Sequence, residues 1–290
     1  MSLPQARQQI NADLATRAAQ HQQAIATAVR SGWLGQPGSP LNLLADGDSW
    51  FDYPLGGLIP MVDHTDIIAQ LPAVSARAPL VLKLAHYGDA TTTELGLTRV
   101  QKISDAINNG ANGRFDAILF SGGGNDVAGE PFAIWLNDAS AVGHDPTRAL
   151  NPARFPAVLG LIRASYEDLI QLRNDLLPGA PIFVHAYDFA IPTGIGACPT
   201  VGPWLKPALN YCGWTDLAQM TQIVHDALAQ FGALMQQLAA DPANNLIYVP
   251  TQGTLAAGDW ANELHPNPAG FRQMAVKFQA ALAARFPGRI

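Results

Sequence analysis

The chain has 290 residues, 48% of them hydrophobic and only 14% charged, with a net charge of −6. Such a composition provides for a large buried core and excludes a disordered or fibrous chain. No Lys/Arg run offers a nucleic-acid groove, and no apolar run approaches the roughly 18 residues that span a bilayer. The opening MSLPQARQQINADLATRAAQ lacks the apolar centre of a signal peptide. The default expectation is therefore cytoplasmic, or secreted or periplasmic if a leader has been trimmed.

In chain order, the first 30 residues are Ala/Gln-rich and predict an amphipathic helix. Residues 1–35 are accordingly expected as a helical segment packed on one domain spanning 36–290. Leu41 to Ala45 is a short apolar run ending at Asp46-Gly47-Asp48, consistent with a buried strand. Leu80 to Ala85 is a second such run. Thr91 and Glu94 come after it at capping-box spacing, which predicts a helix over Thr92–Asn108. Phe115 to Phe120 predicts a third strand, stopped by Gly122-Gly123-Gly124. Phe155 to Asp175 has helical periodicity, Pro181 to Ala186 predicts a fourth strand, and Asp216 to Ala240 a long helix. Leu246 to Val249 predicts a fifth strand. Asn267-Pro268 reads as an N-cap followed by Pro at the first helical position, opening a helix that runs to Arg285.

Short apolar strands alternating with helices imply an α/β fold: a parallel sheet with helices on both faces, and ligands bound beyond the carboxyl ends of the strands. Residues 128–154 and 187–215 break the alternation. Both are rich in Gly, Pro and Trp, and both are expected as insertions that wall a pocket. Cys198 and Cys212, the only cysteines, bracket much of the second insertion and fit no zinc site. They are weighed as a disulfide stapling that insertion, against two free thiols.

The polar signals fall after the strands. Gly47-Asp48-Ser49 comes after the first; a serine nucleophile needs a tight turn and nearby free N–H groups, although an Asp/Ser cap has the same appearance. Gly88 comes after the second strand. Gly122-Gly123-Gly124-Asn125-Asp126 comes after the third, where an amide could donate to an oxyanion. His265 precedes the last helix in Asn262-Glu263-Leu264-His265-Pro266. The other histidines lack metal-ligand spacing, with His86 and His185 standing out because they end strands. Asp46, Asp48 and Asp52 are expected to hydrogen-bond the turn, and Asp126 its own loop. Trp50, Phe51, Tyr53 and Tyr87 serve either an acyl pocket or the core.

Taken in order, Gly-Asp-Ser, Gly, Gly-x-Asn-Asp and His-Pro resemble the SGNH (GDSL-type) hydrolase family from about Leu43 to Gly270. The four marker residues of that family correspond to Ser49, Gly88, Asn125 and His265. The resemblance implies a three-layer, flavodoxin-like α/β/α fold with a five-stranded parallel sheet. It implies hydrolysis of small-molecule, lipid or sugar esters through an acyl-enzyme on Ser49, with His265 as general base. The implied oxyanion hole comprises the Ser49 and Gly88 N–H groups and the Asn125 amide; no metal or organic cofactor is called for. Alternatives are a carbohydrate deacetylase on the same site, or a catalytically weak ester- or sugar-binding module. The last is favoured by one departure: the family usually has Asp three residues before the His, and this chain has Asn262. The imidazole is then expected to be steered by a carbonyl near Asn262, with Asp259 and Glu263 as alternative acids.

Overall fold

A computed structural model describes residues 3–33, 36, 38–53, 65–86, 96–129, 131–198 and 201–290. Among these, strands β1 (Asn42–Gly47), β2 (Leu80–Lys83), β3 (Ala117–Ser121), β4 (Ile182–His185) and β5 (Leu246–Val249) form one parallel sheet in the order β2-β1-β3-β4-β5. Leu44 of β1 stands opposite Leu82 of β2 on one side and Ile118 of β3 on the other. The three central strands are buried along their whole length. This is why they read as continuous apolar runs rather than alternating ones: helices cover both faces.

The helices are α1 (Leu3–Arg30), α2 (Ile67–Val74), α3 (Leu97–Asn108), α4 (Gly124–Ala128), α5 (Phe132–Trp135), α6 (Phe155–Leu176), α7 (Leu205–Tyr211), α8 (Leu217–Ala240) and α9 (Pro268–Arg285). In α8, Met220, Val224, Ala227, Phe231, Leu234 and Leu238 form a buried stripe at three- and four-residue spacing. Asp216 caps it by accepting the Gln219 N–H at 2.9 Å. In α9 the Asn267 side chain accepts the Gly270 N–H at 3.0 Å, with Pro268 at the first helical position as expected. α9 packs against α2 and β5, and α6 against α3 and α8. α1 lies against β2, burying His21, Ile25 and Ala28, and its Arg17 bonds Asp52 at 3.0 Å.

Two elements differ from the sequence expectation. α3 begins at Leu97, because Gly96 is extended (ψ 160°) and a glycine is a poor helix interior; Thr91 and Glu94 lie outside the described residues. α2 escapes a periodicity reading because it is short and contains Pro72, yet Asp66 caps it and its Ile67, Ile68 and Leu71 are buried. The disulfide between Cys198 and Cys212 is not formed: Cys212 is a free thiol. It ends α7 with its Sγ 3.6 Å from the Ala133 carbonyl, so packing against α5 sets its direction.

Candidate active site

Strand order 2-1-3-4-5 reverses direction between β1 and β3, and in such sheets the crevice beyond their carboxyl ends is where ligands bind. β1 leads directly into the Ser49 turn. Gly47 (φ 139°) approaches β3 so closely that a Cβ there would lie 2.1 Å from the Ser121 carbonyl oxygen. Asp48 N–H donates to that same oxygen at 2.9 Å, and Phe51 and Asp52 N–H groups donate back to the Asp48 carbonyl. The Ser49 N–H has no acceptor among the described residues, so it stands available to a ligand. From α3, buried Arg99 pairs with Asp46 and donates to the Gly47 carbonyl at 3.2 Å, fixing the end of β1.

His265 arrives on the loop before α9. Its Nε2 lies 2.7 Å from Ser49 Oγ, and its Nδ1 lies 3.0 Å from Asn262 Oδ1. The Asn262 amide is oriented by its other partners: Oδ1 also accepts the Leu264 and His265 backbone N–H groups, while Nδ2 donates to the Tyr53 hydroxyl at 3.1 Å. Oδ1 is therefore an acceptor, Nδ1 carries the proton, and Nε2 offers its lone pair to the Ser49 hydroxyl. Burial pushes the His265 imidazole down to about 3. A further bond, from the Trp50 indole N–H to the Leu264 carbonyl at 3.0 Å, ties the serine turn to the histidine loop.

The two alternative acids point elsewhere. Asp259 accepts the Ala256 N–H at 2.9 Å in its own turn. The Glu263 carboxylate is buried and accepts the N–H groups of Gly194, Trp204, Leu205 and Lys206. The carbonyl facing the imidazole is that of the Asn262 side chain itself.

Asn125 sits in the first turn of α4, behind the left-handed Gly123 (φ 103°). With Ser49, Trp50 and His265 it lines a cleft whose other walls include Ala128, Ala190, Leu228 and Leu264. Gly88 lies outside the described residues, as do His64 and Tyr87. No cluster of three potential metal ligands is present among the described residues.

Next to the Ser49 turn runs a closed ring of hydrogen bonds. Tyr187 N–H donates to His185 Nδ1 at 3.2 Å, so His185 presents Nε2–H to Ser121 Oγ at 2.9 Å. Ser121 donates to Asp48 Oδ1 at 2.7 Å, and the Tyr187 hydroxyl returns to Asp48 Oδ2 at 2.5 Å. Asp48 Oδ1 also accepts the Trp50 N–H at 3.0 Å, as expected for a residue that holds the turn. Burial raises the Asp48 carboxyl to about 6 and drives His185 down to about 3. Of the two members that sequence reading missed, Ser121 ends β3 and Tyr187 lies in the left-handed region (φ 59°). The available signal for Tyr187 was its place two residues beyond a strand-ending histidine, at the carboxyl edge of the sheet.

No protein-family model and no curated protein sequence matches the chain. Among solved structures it is similar to an extracellular lipase from Streptomyces rimosus, with a TM-score of 0.50 at 18% identity over 84% of this chain and 99% of that one. The chain shares the three-layer α/β/α fold of that lipase. It is also similar to a carbohydrate acetylesterase from Sinorhizobium meliloti (TM-score 0.49, 10% identity, 85% of this chain and 100% of that one). A third similar structure is a phospholipase A1 from Streptomyces albidoflavus NA297 (TM-score 0.45, 16% identity, 83% and 98%). On this fold, Ser49, Asn125 and His265 come after β1, β3 and β5 and line one cleft.

Proposed function

We propose that the protein is a serine hydrolase of carboxylic esters, working through an acyl-enzyme on Ser49 with His265 as general base. The observation that carries this reading is the 2.7 Å contact between Ser49 Oγ and a His265 Nε2 whose tautomer is fixed from the far side of the ring. Depressed by burial, the imidazole is neutral at ordinary pH, with the Nε2 lone pair unprotonated and facing the Ser49 hydroxyl. As Ser49 Oγ attacks the ester carbon, its proton passes to Nε2, and the carbonyl π electrons move onto oxygen. That oxyanion is received by the Ser49 N–H and the Asn125 amide, with the Gly88 N–H as the third donor in the proposed hole. Collapse expels the alcohol, which leaves with the proton from Nε2. Water then repeats the sequence on the acyl-enzyme and releases the acid.

The cleft is narrow, with Ala128, Ala190, Leu228 and Leu264 beside Trp50 and Tyr187 among its walls, and this favours short acyl groups. Acetyl and butyryl esters, acetylated sugars included, are the first substrates to test. A chromogenic acetate should be hydrolysed by wild type, and Ser49→Ala should lower kcat by more than about 10⁴-fold with the fold intact. An organophosphonate should add its mass to Ser49. Labelling of another serine, or normal turnover by the alanine variant, would overturn the reading.

A further inference from the structure

Glu263 sits beside Asn262 on the histidine loop, yet its carboxylate faces away from the imidazole and is fully buried. Oε1 accepts Gly194 N–H at 2.7 Å and Lys206 N–H at 3.1 Å; Oε2 accepts Trp204 N–H at 2.8 Å and Leu205 N–H at 2.9 Å. The Glu263 N–H donates in turn to the Ile195 carbonyl at 3.1 Å. Every partner belongs to the chain between β4 and α8, and three of the donors open α7, whose first N–H groups have no acceptor in their own helix. A buried carboxylate and a buried helix start each carry a desolvation cost that only such partners offset. Docking this segment at Glu263 also sets the place of the half-buried Trp204. Its indole stands edge-on to His265, ring centroids 5.5 Å apart, while Tyr53 packs on the same imidazole at 4.8 Å.

We infer that Glu263 is a positioning residue that docks Gly194, Ile195 and the start of α7 onto the histidine loop, and so holds Trp204 as a cover that keeps water from His265. The inference rests on the reading of His265 as general base. Titratable groups near the imidazole are Ser49 and Tyr53, Glu263 on its own loop, and Asp48 and Asp188 on the walls of the cleft. Each of those carboxylates is held by donors of its own: Asp48 by Trp50, Ser121 and Tyr187, and Asp188 by Phe189, Gly253, Thr254 and Leu255. Removing the cover thus readmits water without releasing a carboxylate onto the ring. The imidazole, now held low by burial alone, should move back toward its ordinary range.

The direct test is an NMR titration of the His265 ring, assigned by the signal lost in His265→Asn, in wild type, Trp204→Ala, Trp204→Phe and Glu263→Gln. Trp204→Ala and Glu263→Gln should each raise the His265 midpoint by about one pH unit or more, and Trp204→Phe should retain most of the wild-type value. In acetate hydrolysis the acid limb of kcat/KM should move upward by the same amount. A wild-type midpoint in Trp204→Ala would overturn the cover, whatever Glu263→Gln does; this variant decides the matter even if Glu263→Gln fails to fold. Should wild type hydrolyse no ester while the titrations move as expected, the esterase reading falls and the cover stands.

Discussion

Asn262 occupies the place where a carboxylate would hold the imidazole, and the contacts of its amide show why a neutral group can serve there. An asparagine in this role is damaging when its NH₂ faces the ring and selects the wrong tautomer. Here that NH₂ is engaged by the Tyr53 hydroxyl, and the carbonyl oxygen is already turned inward by two backbone N–H groups. What is missing is only the charge that would stabilise the imidazolium. Asn262→Asp should therefore raise kcat/KM at neutral pH by about tenfold, or about 1.4 kcal/mol of barrier. It should also move the acid limb of the pH–rate profile upward, since a nearby negative charge favours the protonated ring. A profile flat in both respects would mean that the new carboxylate is held away from Nδ1. At the other side of the reacting carbon, Asn125→Ala should lower kcat by about 10²–10³ with KM little changed, because the oxyanion it would hold exists only in the transition state. A pure KM effect would make Asn125 a substrate-positioning group instead.

At the scale of elements, the site depends on how closely β1 and β3 approach and on the chain that leaves β4. Gly47 has a positive φ and no room for a side chain against Ser121. Gly47→Ala should lower stability by at least ~2 kcal/mol, read as a reduced denaturant midpoint at unchanged slope, and weaken hydrolysis by displacing Ser49. An unaltered midpoint would show that the strands can part at no cost. Tyr187 bears on the same junction from the other side. Its hydroxyl holds Asp48, and its ring lies so near Gly124 that a Cβ on that glycine would meet it at 2.6 Å. One strained residue thus touches both the Ser49 turn and the loop that carries Asn125. Among the described residues between β4 and α8, Gly194 and the start of α7 are held by the Glu263 carboxylate.

For the whole molecule, buried titratable groups make stability depend on pH. His185 and His265 are held near 3 in the folded chain, against about 6.5 in the unfolded one, so unfolding takes up their protons between those values. Their contribution is present above pH 6.5 and lost as pH falls toward 3. Asp48 acts in the opposite sense: raised to about 6, it binds its proton more readily when folded between pH 6 and 3.8. Two histidines against one carboxyl leave a net uptake of about one proton, or about 1.4 kcal/mol per pH unit. His21, lowered by burial as well, adds to the histidine side, and Asp66, raised by burial, to the carboxyl side. Thermal unfolding should therefore shift to lower temperature as pH drops from 6.5 to 4, and His185→Gln should reduce that slope. A slope equal to wild type in the variant would show that His185 is protonated in the folded state.

The sequence by itself determined the layout. Apolar runs long enough to cross a covered sheet marked all five strands, because burial on both faces leaves no polar alternation. The polar residues that ended those runs marked the cleft, because only the strand ends open to ligand. Cap and proline chemistry at Asn267-Pro268 placed the last helix, a signal contained within a few neighbouring residues. Only the tertiary structure decided which way the Asn262 amide turns, since its partners include Tyr53, 209 positions away. The same holds for Glu263, a plausible acid by spacing, whose carboxylate is claimed by N–H groups from 57 to 69 positions away. It holds again for His185 and Asp48, which long-range packing joins through Ser121 and Tyr187 into one buried ring. Local sequence sets the strands and caps because their hydrogen bonds are made nearby. The protonation and orientation of the site are set by desolvation and by partners that only the folded chain brings together.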